Sequence, residues 1–536
     1  MKISEEIVVL YNKIKAIYQN RLRLTREENK IEVDEINSHL TSFYEKMRNS
    51  VDFKDIHLLR RFAIERNLKR RFILEALRPQ IAKGLIEDMI RSNYIPNKEL
   101  PESTIWQVEQ IIAKYNQLYD LMNDLYHGDH IQDYFDWLIG VEACEIDMAL
   151  KPESIEDAVI EAMYQVTKQR IKLKGGDDLT IQEKNIQVYI AIHKSLVKSD
   201  DTIISYHLLN LYFDSWLYAD EQTIRTVAVK LPAIYHSVQR RLRHPYQRKI
   251  LDSIKEPVVT FKILYELILA KGEGIDELLT NPDLLESEAK SLIHQRYSSI
   301  RKKISSASVR AILYIFLTKV LIAFVLELPY ELYLIQHLNY LNLIINVSFP
   351  PILMFLVTLS VVPPSEANTK KILENLNNLV YGQYSQSILC QLKSKYRQTS
   401  GFQIFYYFMY SLLYILVFGV IIYFLRLLNF NIISGGIFII FLSAVSFFAL
   451  RIRHSAHEYL VIQKKEGLLS TVMNFFSLPV IGLGLWMSRR FKKINIFAFI
   501  MDYVVEVPLK LLFSAIEHWL GFMREKKEEV DHDNQS

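Results

Sequence analysis

The sequence predicts an all-α protein: a large cytoplasmic helical domain, a polytopic α-helical membrane domain of about four spans, and a C-terminal interfacial amphipathic region. Three observations lead there. The 536 residues include only 16 Gly and 15 Pro, each about 3% against usual values of about 7% and 5%, which disfavours turn-rich β folds and glycine-dependent nucleotide folds. The second half contains charge-free stretches long enough to cross a bilayer, which takes about 20 apolar residues. Charge divides as well: residues 1–300 carry 41 Lys and Arg against 46 Asp and Glu, net −5, and residues 301–536 carry 23 against 14, net +9. Cys144 and Cys390 are the only cysteines, too few for a disulfide framework, a Cys-based zinc site or an Fe–S cluster.

Residues 1–50 are predicted to form a helical hairpin. Ile3, Ile7, Leu10, Ile14 and Ile17, then Val33, Ile36, Leu40, Phe43 and Met47, alternate spacings of four and three, the seam of a short coiled coil. MKISEEIVVLYNKIK lacks the apolar core of a signal peptide, which predicts a cytoplasmic location for this region.

Residues 51–300 read as one helical domain, with helices near 153–172, 181–198, 201–218, 221–241 and 257–271. Ser154-x-x-Asp157 and Thr180-x-x-Glu183 resemble capping boxes, and Asn281-Pro282 is an N-cap followed by proline at the first helical position. Lys174-Gly-Gly-Asp-Asp178 reads as a turn. Residues 101–150 are acidic; Arg60, Arg61, Arg66, Lys69, Arg70 and Arg71, and later Arg240, Arg241, Arg243, Arg248 and Lys249, are basic clusters. They read as solvated helix faces or partners of the acidic segment. The net negative domain argues against nucleic acid as a partner.

One stretch has metal-ligand chemistry: His127, Asp129 and His130, followed by Glu142 and Glu145 one helical turn apart. No Glu-x-x-His pair accompanies them, as a di-metal bundle requires. Tyr134, Phe135 and Trp137 fill the gaps, so the expectation is a packed helix with its acids in solvent and no cofactor. His454, His457 and Glu458 form H-x-x-H-E, which is neither zinc-peptidase order.

The membrane domain, residues 301–450, holds spans predicted near 309–330, 338–362, 402–425 and 429–450, with Pro350-Pro351 expected to kink the second. Thirteen Lys and Arg flank the spans on one side, including Arg301, Lys302, Lys303, Arg310, Arg451 and Arg453, while Arg426 alone marks the other. Basic residues are retained inside, so both chain ends are predicted to be cytoplasmic and the protein multi-pass in a cell (plasma or inner) membrane. Lys319 lies near mid-span, with Glu327 eight residues on; a charge there usually faces protein or water. Residues 451–523 are read as juxtamembrane and re-entrant or interfacial helices, with 467–488 charge-free and Arg489, Arg490, Lys492 and Lys493 joining Arg451 and Arg453 at an anionic inner leaflet. Residues 524–536 form a solvated tail.

No nucleotide, hydrolase or kinase motif is present. The expectation is a membrane-anchored scaffold that recruits a protein partner or a second copy through residues 1–50 or 101–150. The alternatives are an oligomeric transporter or channel subunit using Lys319 and Glu327, and a membrane-tethered metalloenzyme at 127–147.

Overall fold

The computed structural model of the protein describes residues 3–25, 29–33, 58–74, 81–128, 130–151, 154–174, 179–213, 216–335, 340–359, 364–382, 388–391, 400–462 and 468–493. Most of the second helix of the predicted hairpin (from 34 on), the Gly-Gly-Asp-Asp stretch (175–178), residues 494–523 of the predicted interfacial region and the tail lie outside them.

The described elements are α1 (Glu5–Thr25), α2 (Leu59–Leu74), α3 (Ile81–Arg91), α4 (Ser103–Leu125), α5 (Ile131–Ala149), α6 (Ile155–Arg170), β1 (Ile171–Lys174), α7 (Ile181–Leu196), α8 (Asp201–Tyr212) and α9 (Glu221–Leu242). They continue with α10 (Gln247–Ser253), α11 (Lys255–Lys271), α12 (Ile275–Thr280), α13 (Pro282–Ile322), α14 (Tyr340–Leu359), α15 (Glu366–Val380), β2 (Ile388–Gln391), α16 (Ser400–Leu427), α17 (Ile432–Ala456) and α18 (Leu468–Lys493).

Helices start where the sequence supplies a cap. Asn281 Oδ1 accepts from the N–H groups of Asp283 and Leu284, Thr180 Oγ1 from Glu183 and Ser154 Oγ from Glu156, satisfying donors that a helix start leaves open. Helix α8 stops at Tyr212, short of the expected 218. The chain then forms a short 3-10 turn at Trp216–Tyr218 that buries Trp216 completely.

The chain forms two compact units. One comprises residues 11–160 and 189–247, in which α5 packs against α2, α4 and α8, and α9 lies on α4. Gly140 permits the close approach of α5 and α8, since a Cβ there would stand 2.8 Å from Thr202 Cγ2. Helix α9 carries Pro232, which cannot donate to the carbonyl of Ala228. The Tyr126 hydroxyl supplies the missing donor, at 3.1 Å from that carbonyl and 2.7 Å from Val229 O.

The other unit comprises residues 1–10, 161–188 and 248–494. Among its described residues are five helical stretches long and apolar enough to cross a membrane: Pro282–Tyr333, Tyr340–Leu359, Ile404–Leu427, Ile432–His454 and Thr471–Arg490. Beyond Ile322, α13 continues through two π-helical turns, Ala323–Glu327 and Tyr330–Ile335. Helix α14 runs unbroken through Pro350 and Pro351. Ile315, Met354, Val445 and Ile452 form a core shared by α13, α14 and α17.

Residues 468–493, expected as re-entrant or interfacial, form one continuous helix that packs on α17 and α16. Gly484 is the reason: a Cβ there would lie 2.3 Å from Ser443 O and 2.9 Å from Phe447 Cβ, so only glycine lets the two backbones meet. Val480 packs with Leu413 and Val417 of α16. The contact at Ser443 lies half-way along α17.

One end of the bundle is clasped by helices that precede and interrupt it. Helix α11 packs on α13 and α15. Asn368 of α15 is fully buried and uses its whole amide: Nδ2 donates to Tyr297 Oη (2.9 Å) and Tyr459 O (2.8 Å), and Oδ1 accepts from the N–H groups of Val461 and Ile462. Lys262 pairs with Glu458 at 2.6 Å, and Glu266 takes both Arg296 and the Tyr459 hydroxyl. Strand β2 pairs in parallel with β1, Ile171 opposite Ile388, a small exception to an otherwise helical fold. Ser4 donates through its N–H to Val380 O and through its hydroxyl to Leu379 O, closing the C-terminal end of α15.

Candidate functional site

The metal-like stretch does not converge. His127 and His130 are exposed, His130 lying 3.7 Å from Asp133, and Asp129 is outside the described residues. Glu142 and Glu145 share a face, but that face is inward: both are buried, which corrects the expectation of solvated acids. The Tyr119 hydroxyl donates to Glu142 at 2.8 Å, and the Tyr115 hydroxyl to Glu145 at 2.9 Å. Lys114 also binds Glu145 and donates to Trp216 O at 2.9 Å. Aromatic residues at 134, 135 and 137 spread round the start of α5, so they did not reveal which face is inward. The informative signal was in α4, where Lys114, Tyr115 and Tyr119 place one cation and two hydroxyls opposite the acids.

Burial dominates the electrostatics of this cluster. It pushes Glu142 up to about 8, against the Tyr119 hydrogen bond, and raises Glu145 against the pull of Lys114. It lowers Lys114 and raises both tyrosines. Nearby His207 falls to about 4 by burial, and His193 falls well below its ordinary value through burial and the adjacent His207. The groups are held by one another inside a helical core. Among the described residues, no three His, Cys, Asp or Glu side chains gather to hold a metal.

The second cluster lies within the apolar helices. Lys319 and Glu327 are both buried, with Lys319 Nζ 2.7 Å from Glu327 Oε1. Eight residues of regular helix would set them about 80° apart; the π turn at 323–327 lies between them, and it inserts an extra residue into the turn. Asn346 Nδ2 donates to Glu327 Oε2 at 2.8 Å and stands 3.4 Å from Ser434 O. The Phe441 ring centroid lies 5.0 Å from Lys319 Nζ. Further along, Asn342 Nδ2 donates to Asn429 O at 2.7 Å and Asn431 Nδ2 to Glu331 at 3.2 Å. Polar side chains thus run from the turn between α16 and α17 inward to Lys319, and the apolar group of Ile315, Met354 and Val445 follows. The sequence reading missed Asn342 and Asn346, although two amides at i,i+4 inside a charge-free span carry the same signal as an intramembrane charge.

The basic residues assigned to head groups divide. Arg451 and Arg453 are exposed on α17 beside buried Ile452, at the clasped end. His454 and His457 are exposed there too, while Glu458 is engaged by Lys262. Arg489 and Arg490 are exposed near the far end of α18, with Arg490 over the Trp486 ring; the side chains of Lys492 and Lys493 are outside the described residues. No family model, curated protein or solved structure matches the chain.

Proposed function

We propose that the protein is a membrane-anchored scaffold that presents its N-terminal helical region at the cytoplasmic face of a cell membrane and recruits a protein partner there. The observation that supports this reading is α13. It is a single 41-residue helix whose first half buries Leu285, Ala289 and Ile293 among helices preceding the membrane bundle, and whose second half enters the bundle. With the Asn368 clasp, this joins the helices of 255–300 to the membrane bundle within one unit. The acidic 101–150 segment offers the partner surface, where Trp106 on α4 is 67% exposed; exposed Trp is enriched at binding hot spots.

The test is affinity capture of the full chain from gently solubilised membranes, alongside Trp106→Asp. The expected result is one partner at stoichiometric yield, depleted at least tenfold by the substitution. Recovery of the wild-type chain alone, at native expression, overturns the reading.

The polar file ending at Lys319 favours a second reading, an oligomeric transporter or channel subunit. It predicts ion flux in liposomes carrying the purified protein, abolished by Lys319→Ala. The scaffold reading predicts no flux from either.

A further inference from the structure

Two helices bring cations to one level of the bundle. On α13, Arg301, Lys302, Lys303 and Arg310 are exposed just before the apolar stretch, and Lys303 and Arg310, seven residues apart, share a face. On α17, Arg451 and Arg453 flank Ile452. Ile452 belongs to the same apolar group as Ile304, Ala311 and Ile312 of α13, which brings the two sets of cations to the same end of the bundle. The chain is apolar from Ala311 to Thr318 on α13 and in the turns of α17 before Arg451, so the cations stand where hydrocarbon gives way to head groups.

We infer that this end of the bundle binds anionic phospholipid, with Lys303 and Arg310 of α13 and Arg451 and Arg453 of α17 as the cations that meet its phosphates. The chemistry is charge complementarity at a low-dielectric boundary. A basic side chain near an anionic leaflet contributes about 1 kcal/mol, or ~5-fold in partitioning. Arginine adds a fork of donors that matches a phosphate. The inference rests on the membrane-embedded reading of the bundle, and names the lipid class that the proposed platform selects.

The full chain reconstituted in nanodiscs of equimolar phosphatidylglycerol and phosphatidylcholine tests it, with retained lipid counted by mass spectrometry after release. Wild type is expected to retain phosphatidylglycerol at least 5-fold over phosphatidylcholine. The triple variant Lys303→Gln, Arg310→Gln, Arg451→Gln is expected to retain the two nearly equally. Lys290→Gln, an exposed charge 20 residues before Arg310 on the same helix, is expected to behave as wild type. Equal retention by wild type, or a preference untouched by the triple variant, overturns the inference. Should the triple variant not fold, raising NaCl from 0.05 to 0.5 M on wild type decides instead, because screening must erode a charge-based preference; a salt-independent preference overturns it. Flotation with vesicles is measured separately: failure of wild type to insert in either lipid refutes the membrane reading itself.

Discussion

At the scale of single residues, the interior is organised by polar groups that need partners. Tyr126 fills the place of an N–H that Pro232 lacks. Tyr126→Phe is expected to cost about 1 kcal/mol, read as a lower thermal midpoint of the purified chain, with α9 losing protection from hydrogen exchange first. Glu142 is a stronger case. Its carboxyl, raised by burial from 4.5 to about 8, holds a proton more tightly in the folded chain than in the unfolded one. That contribution to stability is full below the unfolded value and declines, by at most about 1.4 kcal/mol per pH unit, as pH rises to the folded one. His193 and His207 act in the opposite sense. Burial depresses them from 6.5, so their contribution is present above that value and is lost as pH falls through it. Between pH 6.5 and about 8 only the Glu142 slope remains from these groups. Thermal midpoints across that window are expected to fall in wild type and to flatten in Glu142→Gln; an equal slope in both refutes the assignment.

At the scale of elements, buried charge decides how helices pair. Removing one partner of the Lys319–Glu327 pair strands the other in an apolar bundle, which costs about 3–5 kcal/mol, whereas replacing both by apolar residues is often nearly neutral. Lys319→Met is therefore expected to destabilise the detergent-solubilised protein strongly, and Lys319→Met with Glu327→Leu to recover most of the loss. Additive losses in that cycle exclude coupling. Helix α18 makes a second prediction. Its Gly484 meets backbone at mid-depth of α17, so Gly484→Leu is expected to detach α18, read as new proteolysis within 468–493. We propose that α18 crosses alongside α17 and ends at the far face. Arg490→Cys, in a background lacking Cys144 and Cys390, is expected to react with an impermeant maleimide from outside the cell. Labelling from the cytoplasmic side alone restores the four-span arrangement.

For the whole molecule, the clasp around Asn368 sets how faithfully the membrane bundle and its preceding helices move together. Four hydrogen bonds to one amide join α13, α15 and the chain after α17. Asn368→Leu keeps the volume and leaves Tyr459 O and two backbone N–H groups without their partner. It is expected to expose residues 457–462 to hydrogen exchange while the five helices stay protected.

How much of this was legible in the sequence differs by kind of information. Local rules carried far: scarce Gly and Pro, charge-free runs, and caps at Ser154, Thr180 and Asn281 determined the helical class, the presence of long apolar helices and several helix starts. These depend on a residue and its near neighbours along the chain, and a sequence displays them directly. Lys319 was marked as unusual for the same reason, since hydrocarbon tolerates a bare cation poorly wherever the chain goes. The structure alone decided that Glu142 and Glu145 face inward, because the hydroxyls and ammonium that donate to them come from α4. It alone decided that Asn346 completes the Lys319–Glu327 pair, and that Gly484 draws α18 into the bundle against the pull of its basic end. Each outcome depends on what a second helix places opposite, and pairing between distant segments is set by packing and by satisfied polar groups rather than by local propensity.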